Sequence, residues 1–189
     1  KIFEIIVATP DEEIINFVKK RYHKKVTIFE RTTEGSLENK SYIEDVILAI
    51  KKRKKQVKDV DLIMELMVES PFKTLDQIEL AIDILNTHKM DVVIGVTNED
   101  DIFYKHNGTS LEPVSNNIYI SNLRFERDYI YRQTGGIFLS KYKHFIKSKN
   151  IFKGRIGSIV LSKNTQFRIK DEFDLKIANL MIKEKNYND

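Results

Sequence analysis

The sequence predicts an α/β fold, a three-layer, Rossmann-like arrangement in which a mainly parallel mixed sheet carries helices on both faces. Apolar runs of strand length alternate with helical patterns in three successive β–helix–β passages. The helices open on capping motifs, and the scarce Gly (7) and Pro (3) mark the breaks between elements. Crossovers in such a sheet are right-handed, and ligands sit beyond the C-terminal ends of its strands. That rule singles out Thr9, Arg31 and the loop Ser70–Lys73.

The first strand is Phe3–Ala8, which ends on four consecutive apolar residues. Thr9-Pro10-Asp11-Glu12 follows as a helix start, with Thr9 at the cap, Pro10 at the first helical position and Glu12 completing a capping box. Helical spacing places Ile14, Ile15, Val18 and Tyr22 on the buried face. Lys25–Phe29 is a second strand, and after the polar stretch Arg31–Lys40 a helix carries Ile43, Val46, Ile47 and Ile50 on one side. The basic run Lys51–Lys55 continues that helix and suits a solvated end favoured by the helix dipole better than a nucleic-acid patch.

Asp61–Val68 is the third strand. Thr74-Leu75-Asp76-Gln77 is a capping box that opens a helix burying Leu75, Ile78, Ile82 and Leu85. Asp91–Val96 is the fourth strand, and these four are expected to run parallel. Between Asp101 and Tyr131 the pattern becomes short and aromatic, with a hairpin turn at Asn107-Gly108. Gly136–Leu139 and Gly157–Leu161 read as strands and Gln166–Ile169 as a brief edge strand. Asp171–Lys183 is a terminal helix burying Phe173, Ile177, Leu180 and Met181.

The chain has 189 residues, 41% of them apolar and 32% charged, which suits one globular domain spanning 1–189 and argues against disorder. A net charge of +4 spread along the chain does not by itself point to a nucleic-acid partner, and none is expected. The absence of cysteine excludes disulfides, thiolate metal sites and thiol catalysis, and agrees with the cytoplasmic location we expect. No apolar run approaches the ~18 residues of a membrane span. The start at Lys1, inside an apolar segment and without a Met, leads us to expect further chain upstream or a restarted numbering. The four histidines (His23, His88, His106, His144) show no ligand spacing.

Four segments in order carry a family resemblance. Val7-Ala8-Thr9-Pro10-Asp11-Glu12-Glu13-Ile14 looks like VSTDDEEI, and Leu66–Thr74 is similar to LQPTSPLRT. Tyr131–Phe138 resembles Y-R-E-N-G-A-I-Y, and Phe167–Ile177 takes the place of a D-I-D-x-x-x-D-L ending. Together they resemble the acylneuraminate cytidylyltransferase (CMP-sugar synthetase) family, of the nucleotide-diphospho-sugar transferase type. The resemblance implies transfer of CMP from CTP to an acidic, nonulosonic-type sugar, with magnesium as cofactor. It also implies a homodimer, with residues 101–131 as a hairpin and dimerisation insertion in which Asn117–Tyr131 offers the apolar surface.

Residue by residue, the resemblance gives Arg31, Ser41 and Ser70 to the nucleotide, and Lys73, Arg124, Gln133 and Gly135 to the acidic sugar. An arginine suits a carboxylate or a base carbonyl because its fork donates in pairs. Plainer roles stand beside these: Ser41 suits a helix N-cap, Gly135 a backbone requirement, and Thr9 and Thr74 are chiefly caps. Two departures are visible. The family's opening Gly/Ser/Arg/Lys phosphate loop has no counterpart here. Alignment on Asp174-Leu175 also puts Arg168 and Lys170 where the metal-binding aspartates belong, leaving Asp171 and Asp174 as the nearest acidic candidates for magnesium. These departures raise a second reading, a non-catalytic relative that keeps the fold for binding or assembly.

Overall fold

The computed structural model describes residues 4–22, 26–31, 42–54, 60–99, 101–114, 130–149 and 152–187. The chain divides into two units, Lys1–Asp61 with Tyr142–Asn150 and Leu62–Lys141 with Ile151–Asp189.

In the first unit, β1 (Ile5–Thr9) and β2 (Val26–Glu30) pair in parallel, joined through α1 (Glu12–Tyr22). The start of α1 differs from expectation. Asp11, not Thr9, caps it: Asp11 Oδ1 accepts the amides of Glu13 at 2.8 Å and Ile14 at 3.1 Å. The Thr9 hydroxyl accepts the Asp11 amide at 3.1 Å, one step earlier. Asp11 wins because its carboxylate reaches two orphan amides and carries the charge that a helix N-terminus favours. α1 buries Ile15 and Val18 and leaves Ile14 and Tyr22 exposed, so the buried stripe is narrower than the spacing argument expects. α2 (Tyr42–Lys54) buries Ile47 and Ala49. The short helix α3 (Tyr142–Ser148) buries Tyr142 and Phe145, and the Tyr142 amide donates to the Asp61 carbonyl at 2.8 Å.

The second unit is built on a four-stranded mixed sheet, order β3-β7-β4-β8, formed by β3 (Leu62–Glu65), β4 (Val92–Glu99), β7 (Ile130–Lys141) and β8 (Ile156–Val160). β7 is antiparallel to both β3 and β4, so β3 and β4 run the same way, and β8 is parallel to β4. The expected parallel directions therefore hold for β1 with β2 and for β3 with β4. An antiparallel strand separates the second pair. β5 (Tyr104–His106) and β6 (Leu111–Pro113) form the expected hairpin. Asn107 Oδ1 accepts the amides of Thr109 and Ser110 in its turn, a local preference of Asn that needs no tertiary support.

Helix α4 (Leu75–Thr87) covers one face of this sheet, packing on β4, β7 and β8. Its capping box is complete: Thr74 Oγ1 accepts the Gln77 amide and Gln77 Oε1 accepts the Thr74 amide. Ala81 and Leu85 enter a core with Val93, Ile137, Leu139, Ile159 and Leu161, and Ile78 and Ile82 pack against it. Leu75 is exposed, because the residue after a cap sits on the open first turn. Val92 and Val93 are adjacent, point to opposite faces and are both fully buried, so β4 is covered on each side. The final helix α5 (Glu172–Tyr187) buries Ala178, with Ile177 and Met181 half-buried, while Phe173 and Leu180 lie exposed. Residues 166–169 form no strand. They are tied in by the Ile169 amide, which donates to the Glu69 carbonyl at 2.8 Å.

Candidate functional site

The loop after β3 and the loop after β8 both leave the sheet at the C-terminal ends of parallel strands, where ligands bind in such folds. They are joined by several contacts. The Ile169 amide meets the Glu69 carbonyl, Gln77 Nε2 donates to Thr165 Oγ1 at 2.9 Å, and the Phe72 and Phe167 rings sit 6.2 Å apart. Arg168 Nη2 donates to Glu69 Oε1 at 2.9 Å, a half-exposed ion pair.

Inside this junction two polar atoms are buried without a partner, Ser70 Oγ and Arg168 Nε. Ser70 is 1% exposed. A buried hydroxyl or guanidinium donor left unpaired costs about 1–3 kcal/mol, and more when charged, so such atoms ask for an explanation. Thr134 supplies the contrast. Equally buried, its hydroxyl donates to the Gly95 carbonyl at 3.1 Å and accepts the Gly136 amide at 3.4 Å.

Thr134 pins an irregularity in β7. Ile94 pairs with Phe138 and Val96 with Gln133, so Gly95 alone lies opposite Thr134, Gly135, Gly136 and Ile137. Bulges of this kind collect beside functional sites because they re-aim the strand. The absence of a side chain at Gly136 lets this backbone approach the loop, since a Cβ there would lie 3.9 Å from Ser70 Cβ and 3.2 Å from Leu161 Cδ1.

Three ionisable groups surround Glu69. Arg168 pairs with it directly. Lys73 folds back on its own loop, Nζ donating to the Met67 carbonyl at 2.7 Å and to the Ser70 carbonyl. Burial lowers the Lys73 amine to about 8, against the opposing attraction of Glu69. Glu65, at the end of β3, is pushed up from the ordinary glutamate value, first by burial and then by the charge on Glu69.

The sequence candidates distribute unevenly over this frame. Ser70 and Lys73 sit in the junction. Gln133 and Gly135 lie on β7 at the bulge, Gln133 exposed. Beside them Arg132 donates to Glu99 at 2.6 Å and to Gln166 at 3.2 Å. Arg31 belongs to the first unit, where its amide donates to the Thr9 carbonyl at 3.1 Å after β2. Ser41 and Arg124, and residues 117–129 of the stretch Asn117–Tyr131 read as a dimerisation surface, lie outside the described residues.

The acidic pair does not fit a magnesium ion. Asp171 caps α5, its Oδ1 accepting the Asp174 amide at 2.9 Å, and Asp174 Oδ2 accepts the Lys170 amide at 2.9 Å. Both carboxylates thus serve a helix N-terminus. Arg168, the residue standing at a metal-ligand position, is a cation already paired with Glu69. Among the described residues no group of three or more His, Asp or Glu side chains is placed to hold a metal. Sequence reasoning missed Glu65, Glu69 and Thr134. Glu69 was visible within its motif as an acid in place of a small hydroxyl residue, but a partner 99 positions away leaves no local pattern.

No protein-family model matches the sequence, and no curated protein matches it. Solved structures do. A 4-diphosphocytidyl-2C-methyl-D-erythritol synthase from Anaerococcus prevotii DSM 20548 superposes with a TM-score of 0.67 at 16% identity, covering 96% of this chain and 82% of that one. A second synthase of the same name gives 0.64 at 10% identity, over 96% of this chain and 81% of the other. The bifunctional IspDF from Campylobacter jejuni gives 0.60 at 17% identity, over 92% of this chain and 41% of its own. At these identities the likeness establishes the fold: the chain has the α/β fold of cytidylyltransferase-type nucleotidyltransferases. Among the described residues no helix is long and apolar enough to cross a membrane.

Proposed function

We propose that the chain binds CTP beside the loop after β3 and transfers CMP to the hydroxyl of an acidic, nonulosonic-type sugar, working in the cytoplasm as a homodimer. The observation that carries this reading is the unpaired, fully buried Ser70 hydroxyl at the C-terminal end of β3, beside a bulged strand and a guanidinium with an unused donor. In the proposed reaction the sugar oxygen attacks the α-phosphorus. A new P–O bond forms, the bond to the oxygen bridging towards the β-phosphate breaks, and pyrophosphate leaves with that electron pair while the hydroxyl proton passes to solvent. Ser70 and the cations beside it hold and orient the ligand, with Lys73, Gln133 and Gly135 on the sugar side, and Arg31 is given to the cytosine by the sequence resemblance alone. Ser41 joins the nucleotide side and Arg124 the acidic sugar on the sequence resemblance alone. No step is routed through Asp171 or Asp174, whose oxygens already serve backbone amides.

One finding favours the second reading, a binding module without turnover: the cations and helix caps that stand where a metal-binding acid pair is expected. Pyrophosphate release with CTP and a panel of nonulosonic acids, with and without magnesium, separates the two. Turnover that selects CTP over UTP supports the transferase. Micromolar CTP binding by calorimetry without pyrophosphate release supports the module. Absence of CTP binding overturns both.

A further inference from the structure

Glu69 is the unusual member of the junction. Its carboxylate takes only one arm of the Arg168 fork, Nη2, while the neighbouring Nε is buried with no partner. A guanidinium presents these two donors side by side and matches a carboxylate or phosphate through both. The fork is therefore under-filled. The pair is also weakly held: both side chains are about one-third exposed (37% and 30%), and ion pairs of that exposure contribute only about 0–1 kcal/mol. Glu65, Lys73 and Arg168 are the charged groups that face Glu69, and Glu65 repels it. The next residue, Ser70, holds a buried hydroxyl with nothing to bond.

We propose that Arg168 is the seat of a ligand phosphate, that Glu69 occupies it as an internal stand-in, and that the phosphate enters by displacing the Glu69 carboxylate without a divalent metal. Filling both arms of the fork satisfies Nε, and the departing carboxylate moves away from Glu65. Glu69 is thus a residue that sets affinity through Arg168. The proposal rests on the nucleotide reading only for what carries the phosphate.

Titration calorimetry with inorganic pyrophosphate and with CTP, in EDTA and in magnesium, tests it on the full chain. Glu69→Gln removes the competing charge and is expected to tighten pyrophosphate binding up to about fivefold, as when a binding-competent state rises from about a fifth of the population to nearly all. Arg168→Gln is expected to abolish binding in both the wild-type and Glu69→Gln backgrounds. Circular dichroism checks that each variant is folded. Should Glu69→Gln not fold, Glu69→Asp keeps the charge on a shorter arm and is expected to tighten binding by a smaller factor. Unchanged or weaker binding in the folded Glu69 variant, or binding that vanishes in EDTA, overturns the proposal. CTP binding with no Glu69 effect removes this proposal and leaves the nucleotide reading. Glu69-dependent binding of pyrophosphate with no preference among CTP, UTP and ATP does the reverse.

Discussion

Because burial lowers the Lys73 amine to about 8, that side chain changes charge within the range where enzymes are ordinarily assayed. Below this value it is a cation on the loop after β3, and above it a neutral amine. If Lys73 faces an anionic ligand, affinity falls between pH 7 and 9 with a midpoint near 8, and Lys73→Arg, which stays charged, flattens that profile. Calorimetric titration across the range reads this directly. Glu65 carries the opposite sign. Its carboxyl is raised above the ordinary glutamate value of 4.5 by burial and by the charge on Glu69, so the neutral form is favoured in the folded chain. The stabilisation is complete below 4.5 and is lost as pH rises through the raised value. Glu65→Gln is therefore expected to be more stable than the wild type at pH 7, and the difference closes below pH 4.5 in urea unfolding. None of this was readable from the sequence. Ser70 and Lys73 could be named from their place after a strand, but the ion pair that organises them joins residues far apart in the chain.

At the scale of elements, what was legible was local. The Thr74–Gln77 box and the Asn107-Gly108 turn are both present, because each is closed by side chains within four residues of one another. Thr74→Ala is expected to destabilise the second unit by about 1 kcal/mol in denaturant unfolding, the usual worth of a side-chain N-cap. Leu85, fully buried at the centre of the core, is expected to cost about 2–5 kcal/mol when cut to Ala. Gly157 on β8 should resist enlargement as well. A Cβ there would stand 3.0 Å from Met90 Cγ and 3.1 Å from Ile84 Cγ2, so Gly157→Ala lowers the melting temperature unless both side chains yield. Illegible were the features decided by tertiary contacts. Only the apolar second half of β7, Gly136–Leu139, has a strand's composition, so its polar first half and its antiparallel direction went unseen. Helical spacing likewise placed Ile14, Tyr22, Phe173 and Leu180 inside, where buried stripes narrower than the apolar pattern leave them outside.

At the scale of the whole molecule, the fold class followed from alternation, as did the shared direction of β1 with β2 and of β3 with β4, whereas function rests on what is peculiar to this chain. Its resemblance to acidic-sugar cytidylyltransferases and its structural likeness to methylerythritol-type synthases agree on the fold and differ over the acceptor. Turnover with the nonulosonic acid panel tests the proposed acceptor. The proposed dimer predicts a light-scattering mass of twice the chain at micromolar concentration, and a monomeric mass removes it.

The hydrogen bond from the Ile169 amide to the Glu69 carbonyl ties together two loops that a ligand would have to part or grip. Its proton is a natural reporter. In deuterated water, slow exchange at Ile169 records the loops held together, and faster exchange records their separation even where no side chain changes its average position. Following that one resonance as pyrophosphate is added tells whether entry loosens the junction or clamps it, in a protein carrying no label beyond nitrogen-15.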